Sequence, residues 1–250
     1  MPDLGPVRFS HLKSYGRSAA HGLIARTKEQ KPTAAMQLGT AVHAMMFETQ
    51  KVCWYHSTRR GKEYDQFVAD HPEHLILTEP DYFKAQGMVN SLRACKVAAP
   101  LLEGEAEKTL LFRWYGVDCR TTPDVRGKDF VTELKTCPSA HPERFPWHSL
   151  RMQYHGQMQF ERTGAEIVDR NMQGSIAYVV AVEYTEPFVV QCFRVTDEAL
   201  EAAEKLLVSW MERLKVAEAS QAWGGYSELI MPLDVPGDDL ELDYGDGNDN

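Results

Sequence analysis

The order of the predicted elements indicates an α/β (α+β) domain in which helices flank a central mixed sheet. Apolar residues recur at helical spacing in the first third of the chain, alternate at strand spacing in the middle, and return to helical spacing before residue 220. Helices, a meander of about three strands, a helix, two strands and a final helix therefore follow one another. This order favours one sheet with helices packed on it.

Length and composition are those of a globular protein. The 250 residues are 43% apolar and 25% charged, which predicts one domain with a sizeable core. We assign residues 1–225 to this domain and residues 226–250 to an acidic tail that we expect to be partly disordered.

The chain has no apolar run of membrane-spanning length and no signal-peptide core at its N-terminus. Its five cysteines are scattered singly, without a Cys-x-x-Cys pair, which argues against a zinc ribbon or an iron–sulfur cluster. We therefore expect a cytoplasmic location, no membrane partner and free thiols.

The net charge of −9 is unevenly distributed. Eight of the 36 acidic residues and none of the 27 lysines and arginines lie from Tyr226 onwards, so the rest of the chain is close to neutral. The first 31 residues are basic, which is compatible with nucleic-acid binding but does not establish it. Within the tail we expect Leu229, Ile230, Met231 and Leu233 to pack on the domain, and the chain to detach after Pro236.

The N-terminal half is predicted to be mainly helical. Residues 8–26 predict a short helical or looped segment and residues 34–48 a helix with an apolar stripe. Residues 51–80 mix short apolar runs with a basic cluster, Arg59, Arg60 and Lys62, for which a solvated loop is expected. A further helix is expected from Asp81, as its N-cap, to Ala98. His43 lies on the 34–48 helix, where spacing alone favours a packed core histidine over a ligand.

The C-terminal half mixes strands and helices. A hairpin around Gly116 is expected first and a helix from Thr196 last. The predicted elements are strands 107–114 and 117–122, a helix within 143–163, strands 175–183 and 188–195, and a helix from residue 196 to about residue 219.

The stretch PDVRGKDFVTELK, residues 123–135, has the pattern of a short hairpin with its turn at Gly127 and Lys128. Because side chains alternate along a strand, Glu133 and Lys135 point to the same face, roughly 6.6 Å apart. Two carboxylates and an amine on one surface are costly to desolvate unless a bound group compensates for the lost hydration.

A divalent metal ion is one group that would compensate for this cost. Asp124 and Glu133 offer the hard oxygen ligands that Mg²⁺ prefers, and Lys135 could hold or deprotonate an attacking water. A surface salt bridge explains Glu133 and Lys135 equally well, since an acidic residue two before a lysine occurs by chance about once or twice in such a chain. From these residues alone the salt bridge is favoured.

A polar stripe is predicted on the 143–163 helix, where Gln153, Gln157 and Glu161 follow one another at intervals of four. Tyr154 and Met158 form the neighbouring row. Spacing alone favours a solvated stripe.

Five short motifs occur in one order along the chain. They are Leu38-Gly39-Thr40-Ala41-Val42-His43-Ala44, Glu107 with Thr109, Pro123-Asp124, Glu133-Leu134-Lys135-Thr136, and Tyr154-His155-Gly156-Gln157 with Phe160. In this combination the chain resembles the PD-(D/E)xK nuclease superfamily, and most closely the RecE-type phage and prophage exonucleases, over residues 8–215. The resemblance implies the restriction-endonuclease-like PD-(D/E)xK core.

The resemblance also implies roles for particular residues. The implied metal ligands are His43, Asp124, Glu133 and the carbonyl of Leu134, and the implied catalytic residues are Asp124, Glu133 and Lys135. The residues implied to line the DNA site are Gln157, Tyr154, Glu107 and Thr136. The implied cofactor is Mg²⁺, with Mn²⁺ as a substitute.

The activity implied by the resemblance is a metal-dependent exonuclease on double-stranded DNA ends in a bacterial host cell. It resects the 5′ strand and leaves a 3′ tail for a RecT-like single-strand annealing protein, often as a ring-shaped homo-oligomer. A structure-specific or nicking endonuclease on the same fold is the nearer alternative. A catalytically inactive DNA-binding module is the further one, against which the intact Lys135 argues.

The chain departs from that family at three positions. Thr122 stands where the family usually has a basic residue, Glu161 where it usually has tyrosine, and Glu133 where aspartate is commoner. The first two lie on the substrate side of the implied site, and the superfamily permits the third.

Overall fold

A computed structural model describes residues 4–28 and 31–232. The helices in these residues are α1 Phe9–Arg17, α2 Ala19–Thr27, α3 Ala34–Phe47, α4 Lys62–Asp70, α5 Glu79–Ala94, α6 Ala98–Leu101, α7 Phe145–Met152, α8 Tyr154–Val168 and α9 Asp197–Ser220. The strands are β1 Lys51–Tyr55, β2 His74–Thr78, β3 Glu105–Ala106, β4 Leu110–Trp114, β5 Val117–Thr121, β6 Val125–Arg126, β7 Phe130–Cys137, β8 Ile176–Glu183 and β9 Val190–Arg194.

The central sheet has five strands in the order β3-β6-β7-β8-β9. The pair β7–β8 is parallel, and the other neighbours are antiparallel. This mixed sheet with flanking helices confirms the predicted fold class. Two smaller sheets lie beside it, the parallel pair β1–β2 and the hairpin β4–β5.

Strand β7 separates two layers of the core. Leu134 packs into the cluster that contains the inner faces of α3 and α5. Val131 and Cys137, which project from the opposite face, pack with Met158 of α8. Because side chains alternate, Glu133 and Lys135 share the α8 side with Val131 and Cys137.

The first helix, α1, packs against the last helix, α9. Leu12 and Tyr15 of α1 are fully buried in one cluster with Trp210 and Leu214 of α9. Helix α9 begins as predicted, because Thr196 accepts a hydrogen bond from the amide of Ala199 at its first turn.

The start of α5 differs from the prediction. Thr78, not Asp81, is the N-cap, since its hydroxyl accepts from the amide of Asp81 and donates to the Asp81 carboxylate. The helix ends at Ala94, and the short α6 follows with Pro100 inside it. The predicted end at Ala98 is therefore wrong by four residues.

Residues 51–80 contain β1, α4 and β2. Arg59 and Arg60 lie exposed in the loop between β1 and α4, as predicted for the basic cluster, whereas the exposed Lys62 is the first residue of α4. The two strands pair in parallel, with Cys53 opposite Ile76. Each strand has five residues, and its partner lies more than twenty residues away. Local spacing therefore gives little sign of the pairing.

The predicted helix within residues 143–163 is two helices. Gln153 joins α7 to α8 with a left-handed backbone, at φ 62°. Gln153 therefore does not share the face of Gln157 and Glu161. The prediction of a solvated stripe is wrong as well, since Glu161 is 2% exposed.

The predicted strand meander is divided between two sheets. The hairpin β4–β5 forms its own sheet, and only β6 and β7 of this stretch pair in the central sheet. The turn between β6 and β7 is the one predicted at residues 127–128, closed by a bond from the Gly127 amide to the Phe130 carbonyl.

All five cysteines are free, as predicted. Leu229, Ile230 and Met231 are exposed, so the expectation that they pack on the domain is wrong. Leu233, Pro236 and the rest of the acidic tail lie outside the described residues. None of the described helices is long and apolar enough to cross a membrane.

Candidate active site

Asp124 is fixed over the middle of β7. It directly precedes β6, and its Oδ2 accepts a hydrogen bond of 2.6 Å from the backbone amide of Leu134. Its side chain is nearly buried. The carboxylate position is therefore set by the pairing of β6 with β7.

His43 reaches Asp124 from α3. Its Nδ1 lies 3.1 Å from Asp124 Oδ1 and 3.7 Å from Glu107 Oε1, and its Nε2 lies 3.1 Å from the carbonyl oxygen of Leu134. Burial by itself lowers the pKa of His43, but the carboxylates of Asp124, Glu107 and Glu133 raise this pKa to about 10.

The backbone of Glu107 places its side chain next to His43 and Asp124. Its φ is 53°, and its amide donates to the carbonyl of Asp124 at 3.1 Å. His43, Glu107 and Asp124 each offer one ligand atom, and these atoms all lie within 4.8 Å of one another.

Lys135 lies on the other side of β7 from His43. Its Nζ donates to Glu133 Oε1 at 2.7 Å and to Gln157 Oε1 at 3.0 Å, and it lies 4.9 Å from the centre of the Tyr154 ring. Burial disfavours the charged amine, but Glu133 and then Asp124 outweigh it and raise the pKa of Lys135 above its usual range. The group is therefore an ammonium ion near neutral pH.

Gln157 connects two carboxylates on the α8 side. Its amide nitrogen donates to Glu133 Oε1 at 2.6 Å and to Glu161 Oε1 at 2.8 Å. Burial, followed by the charges of Glu133 and Asp124, raises the pKa of Glu161 well above its ordinary value. Glu161 is thus a third buried carboxylate of the site.

The two other carboxylates are affected differently. Burial and the charge of Glu133 raise the pKa of Asp124 to about 6, although His43 opposes this. Burial also acts to raise the pKa of Glu133, but the ammonium group of Lys135 holds this pKa below its ordinary value. Glu133 is therefore the carboxylate that stays ionised most readily.

The residues present fit a divalent cation. Glu133 Oε2 is buried and has no hydrogen-bond partner among the described residues. Carboxylate oxygens, one backbone carbonyl and an imidazole are suitable ligands for such an ion, and an ion there would offset the repulsion between the carboxylates. The donor set includes Glu107, which the resemblance implied only as a DNA-site residue.

The other residues implied for the DNA site are placed as follows. Tyr154 is 8% exposed and lies beneath Lys135. Thr136 is half-buried on the face of β7 that is turned to α3. Gln157 is half-buried and bonded within the carboxylate cluster. None of the three is fully exposed.

A cavity of about 280 Å³ opens beside Gln157 and Glu161. It is lined by both of these residues and by Arg8, Phe9, Ser10, Arg120, Thr121 and Thr122. Arg120 stands two residues before Thr122, so a basic group is present near the position where Thr122 departs from the family. Arg8 and Arg120 are residues that sequence analysis did not single out.

Glu161 and Lys13 were also missed as site residues. Glu161 appeared in the sequence as one member of a polar stripe and as a departure from the family, but residue spacing cannot show that its carboxylate is buried. Lys13 of α1 donates to the carbonyl of Met152 at 2.8 Å, and burial together with the charge of Lys135 lowers its pKa. The basic character of the first 31 residues was the one available signal for Lys13.

The mixed sheet, with Asp124 before one strand and Glu133 and Lys135 on the next, defines a nuclease-like fold of the PD-(D/E)xK class. The model of the family described as PDDEXK-like domain of unknown function (DUF3799) matches residues 8–233. The chain belongs to this family. A comparison with curated proteins finds no match.

Solved structures that are similar to this chain include the following two. A candidate exonuclease from Eubacterium rectale aligns with a TM-score of 0.68 and 13% identity, over 97% of this chain and 94% of its own. LHK-Exo in complex with dAMP aligns with a TM-score of 0.40 and 16% identity, over 87% of this chain and 92% of its own. The similarity to the Eubacterium rectale protein supports the fold.

Proposed function

We propose that this chain is a divalent-metal-dependent exonuclease that hydrolyses phosphodiester bonds from the ends of double-stranded DNA. The observation that carries the proposal is the position of Lys135. Its ammonium group bonds to Glu133 and Gln157 on one face of β7, and the half-buried His43 and Glu107 meet the buried Asp124 on the other side of this strand. A structural salt bridge alone needs neither the extra carboxylates nor the imidazole.

The residues that would hold Mg²⁺ or Mn²⁺ are His43, Glu107, Asp124, Glu133 and the carbonyl of Leu134. When bound, the ion supplies a Lewis acid that stabilises negative charge on the reacting phosphate. Asp124 and Glu133 hold their carboxylates in place through the Leu134 amide and through Lys135 respectively.

Lys135 acts as a hydrogen-bond donor in this scheme. Because its pKa is raised, the ammonium form orients a water or a phosphate oxygen and stabilises developing negative charge. Gln157, on α8, accepts a hydrogen bond from the ammonium group and so limits the positions that this group can take. Arg8 and Arg120 at the neighbouring cavity suit the charge of a phosphate backbone.

The finer parts of the proposal come from the family resemblance. They are 5′-strand resection, a 3′ single-stranded product, a RecT-like annealing protein that receives this product, and a ring-shaped homo-oligomer. Analytical ultracentrifugation tests the ring, and co-migration with an annealing protein on size exclusion tests the partner.

The central experiment compares duplex substrates of one sequence with free ends, hairpin-capped ends and closed circles, each with Mg²⁺ and with EDTA. We expect Mg²⁺-dependent loss of the free-ended duplex alone, with release of a 5′ label before a 3′ label. Equal cleavage of the capped duplex or the circle would indicate an endonuclease. If wild type leaves all substrates intact, as Lys135→Ala should, the proposed nuclease activity is wrong, and a mobility shift of the intact duplex would then indicate an inactive DNA-binding module.

A further inference from the structure

A second cavity, of about 410 Å³, lies between the end of β7 and helix α7. Its lining is basic and aromatic, and no acidic side chain contributes to it. The lining residues are Pro138, Ser139, Arg144, Trp147, His148 and Arg151.

This cavity begins next to the candidate active site. Pro138 follows directly on β7, the strand that carries Glu133 and Lys135. The Tyr154 ring lies against Lys135 on one side and 5.8 Å from the His148 ring on the other, and His148 lines the cavity. Two side chains therefore separate the Lys135 ammonium group from the cavity.

Three side chains of the cavity, those of Arg144, Trp147 and Arg151, are exposed on helix α7 or at its start. Trp147 is 74% exposed, although indole is among the largest apolar groups a chain can bury. Arg144 and Arg151 are exposed, and neither has an ion-pair partner within residues 4–28 and 31–232. An exposed indole between two unpaired guanidinium groups suits a ligand with a flat apolar face and negative charge.

We propose that this cavity binds an unpaired nucleotide of DNA, with its base stacked on Trp147 and its phosphates between Arg144 and Arg151. Base stacking on aromatic side chains combined with basic groups along the backbone is the usual means of binding single strands. Inside a duplex, both faces of a base are already stacked on its neighbours. A free face for the indole is therefore offered by a base that has left the helix, or by the last base of a blunt end, which the duplex probe of the test contains.

The inference deepens the proposed function, on which it rests for the presence of a scissile phosphate beside Lys135. It defines the substrate at this site as a strand that is single-stranded where it passes α7. An acidic protein segment is the competing occupant, and the probes below distinguish it from DNA because they contain no protein.

The test is fluorescence anisotropy in EDTA with three labelled probes: an oligothymidine single strand, the same strand with one abasic residue moved along it, and a blunt duplex. The variants are Trp147→Ala and Trp147→Phe. The matched control is Leu150→Ala, because Leu150 is another exposed apolar residue of α7, at 57%, that does not line this cavity.

We expect Trp147→Ala to weaken binding of the single strand by about 5- to 150-fold, the equivalent of stacking one base, and to change duplex binding little. Trp147→Phe should keep most of the affinity, and Leu150→Ala all of it. An abasic residue at one position should weaken binding by wild type but not by Trp147→Ala.

Unchanged single-strand affinity in Trp147→Ala overturns the inference. So does an equal loss for single strand and duplex, or a loss that no abasic position reproduces. Because binding is measured without metal, it is independent of cleavage. Single-strand binding through Trp147 together with absent nuclease activity would reject the proposed function and keep the nucleotide site.

Discussion

The side-chain nitrogen of Gln157 lies 2.8 Å from Oε1 of Glu161, one helical turn later on α8. This bond and the bond from the same nitrogen to Glu133 Oε1, at 2.6 Å, together fix the orientation of the amide, because the ionised Glu133 can only accept and Glu161 accepts through Oε1. The amide oxygen is then directed at Lys135, to which it is bonded at 3.0 Å. Glu161 therefore positions Lys135 through Gln157.

We expect Glu161→Ala and Gln157→Ala each to lower kcat by about 10- to 100-fold, the usual cost of losing a group that orients a catalytic residue. The affinity for Mn²⁺ should change little. Because both act on Lys135 through one amide, the double variant should be hardly slower than either single variant. Steady-state kinetics on a free-ended duplex measures this, and additive losses or unaltered kinetics would contradict it.

Glu161 should also make stability depend on pH. Its pKa in the folded state is raised above the ordinary 4.5, so the folded protein keeps a proton that the unfolded chain has lost. The free energy of unfolding of the metal-free protein should therefore fall as pH rises above about 4.5. Glu161→Gln should reduce this fall. Urea unfolding at several pH values tests it, and parallel curves for variant and wild type would disprove it.

Removal of Asp124, Glu133 or Lys135 should abolish nuclease activity, with a loss of at least about 100-fold in kcat for Lys135→Ala. Asp124→Asn is the sharper variant at its position. Asp124→Ala also leaves the buried Leu134 amide without its acceptor, at a cost of about 1–3 kcal/mol, whereas asparagine retains an acceptor. Near wild-type cleavage by any of these variants, with an unchanged circular dichroism spectrum, would remove that residue from the mechanism.

Metal binding should release a proton from His43. Its pKa in the metal-free protein is about 10, and a ligating imidazole must be neutral. The apparent affinity for Mn²⁺ should therefore rise with pH across the neutral range. Calorimetry in buffers of different ionisation enthalpy measures the proton. His43→Gln should bind Mn²⁺ more weakly and with less proton release, while its melting temperature changes less. A large stability loss with unchanged metal response would instead make His43 a core residue.

Deletion of the residues after Pro236 should leave the fold intact and modestly tighten DNA binding at low salt. Most of the tail's negative charge lies in this segment, and repulsion between it and DNA is screened as the Debye length falls below about 10 Å. The gain should disappear at high salt. Unfolding of the truncated protein, or loss of an oligomer, would show that the tail is structural.

The sequence determined those parts of the fold that depend on neighbouring residues. Alternation around Gly127 predicted the β6–β7 hairpin, and Thr196 predicted the start of α9, because turn and cap preferences are local. The β1–β2 pair was missed because its pairing joins distant residues. The break at Gln153 was missed because no glycine or proline marks it.

The residue types of the candidate site were likewise determined by the sequence, since Asp124, Glu133 and Lys135 follow from one hairpin. Only the tertiary structure decided which groups join them. His43, Glu107 and Glu161 come from α3, the residue after β3 and α8, and they meet because the two layers of helices pack on opposite faces of β7. Glu161, which the spacing alone placed on a solvated stripe, is buried and bonded to Gln157 instead. A charge surrounded by protein must be paired or neutralised, and only the packing shows which groups are buried.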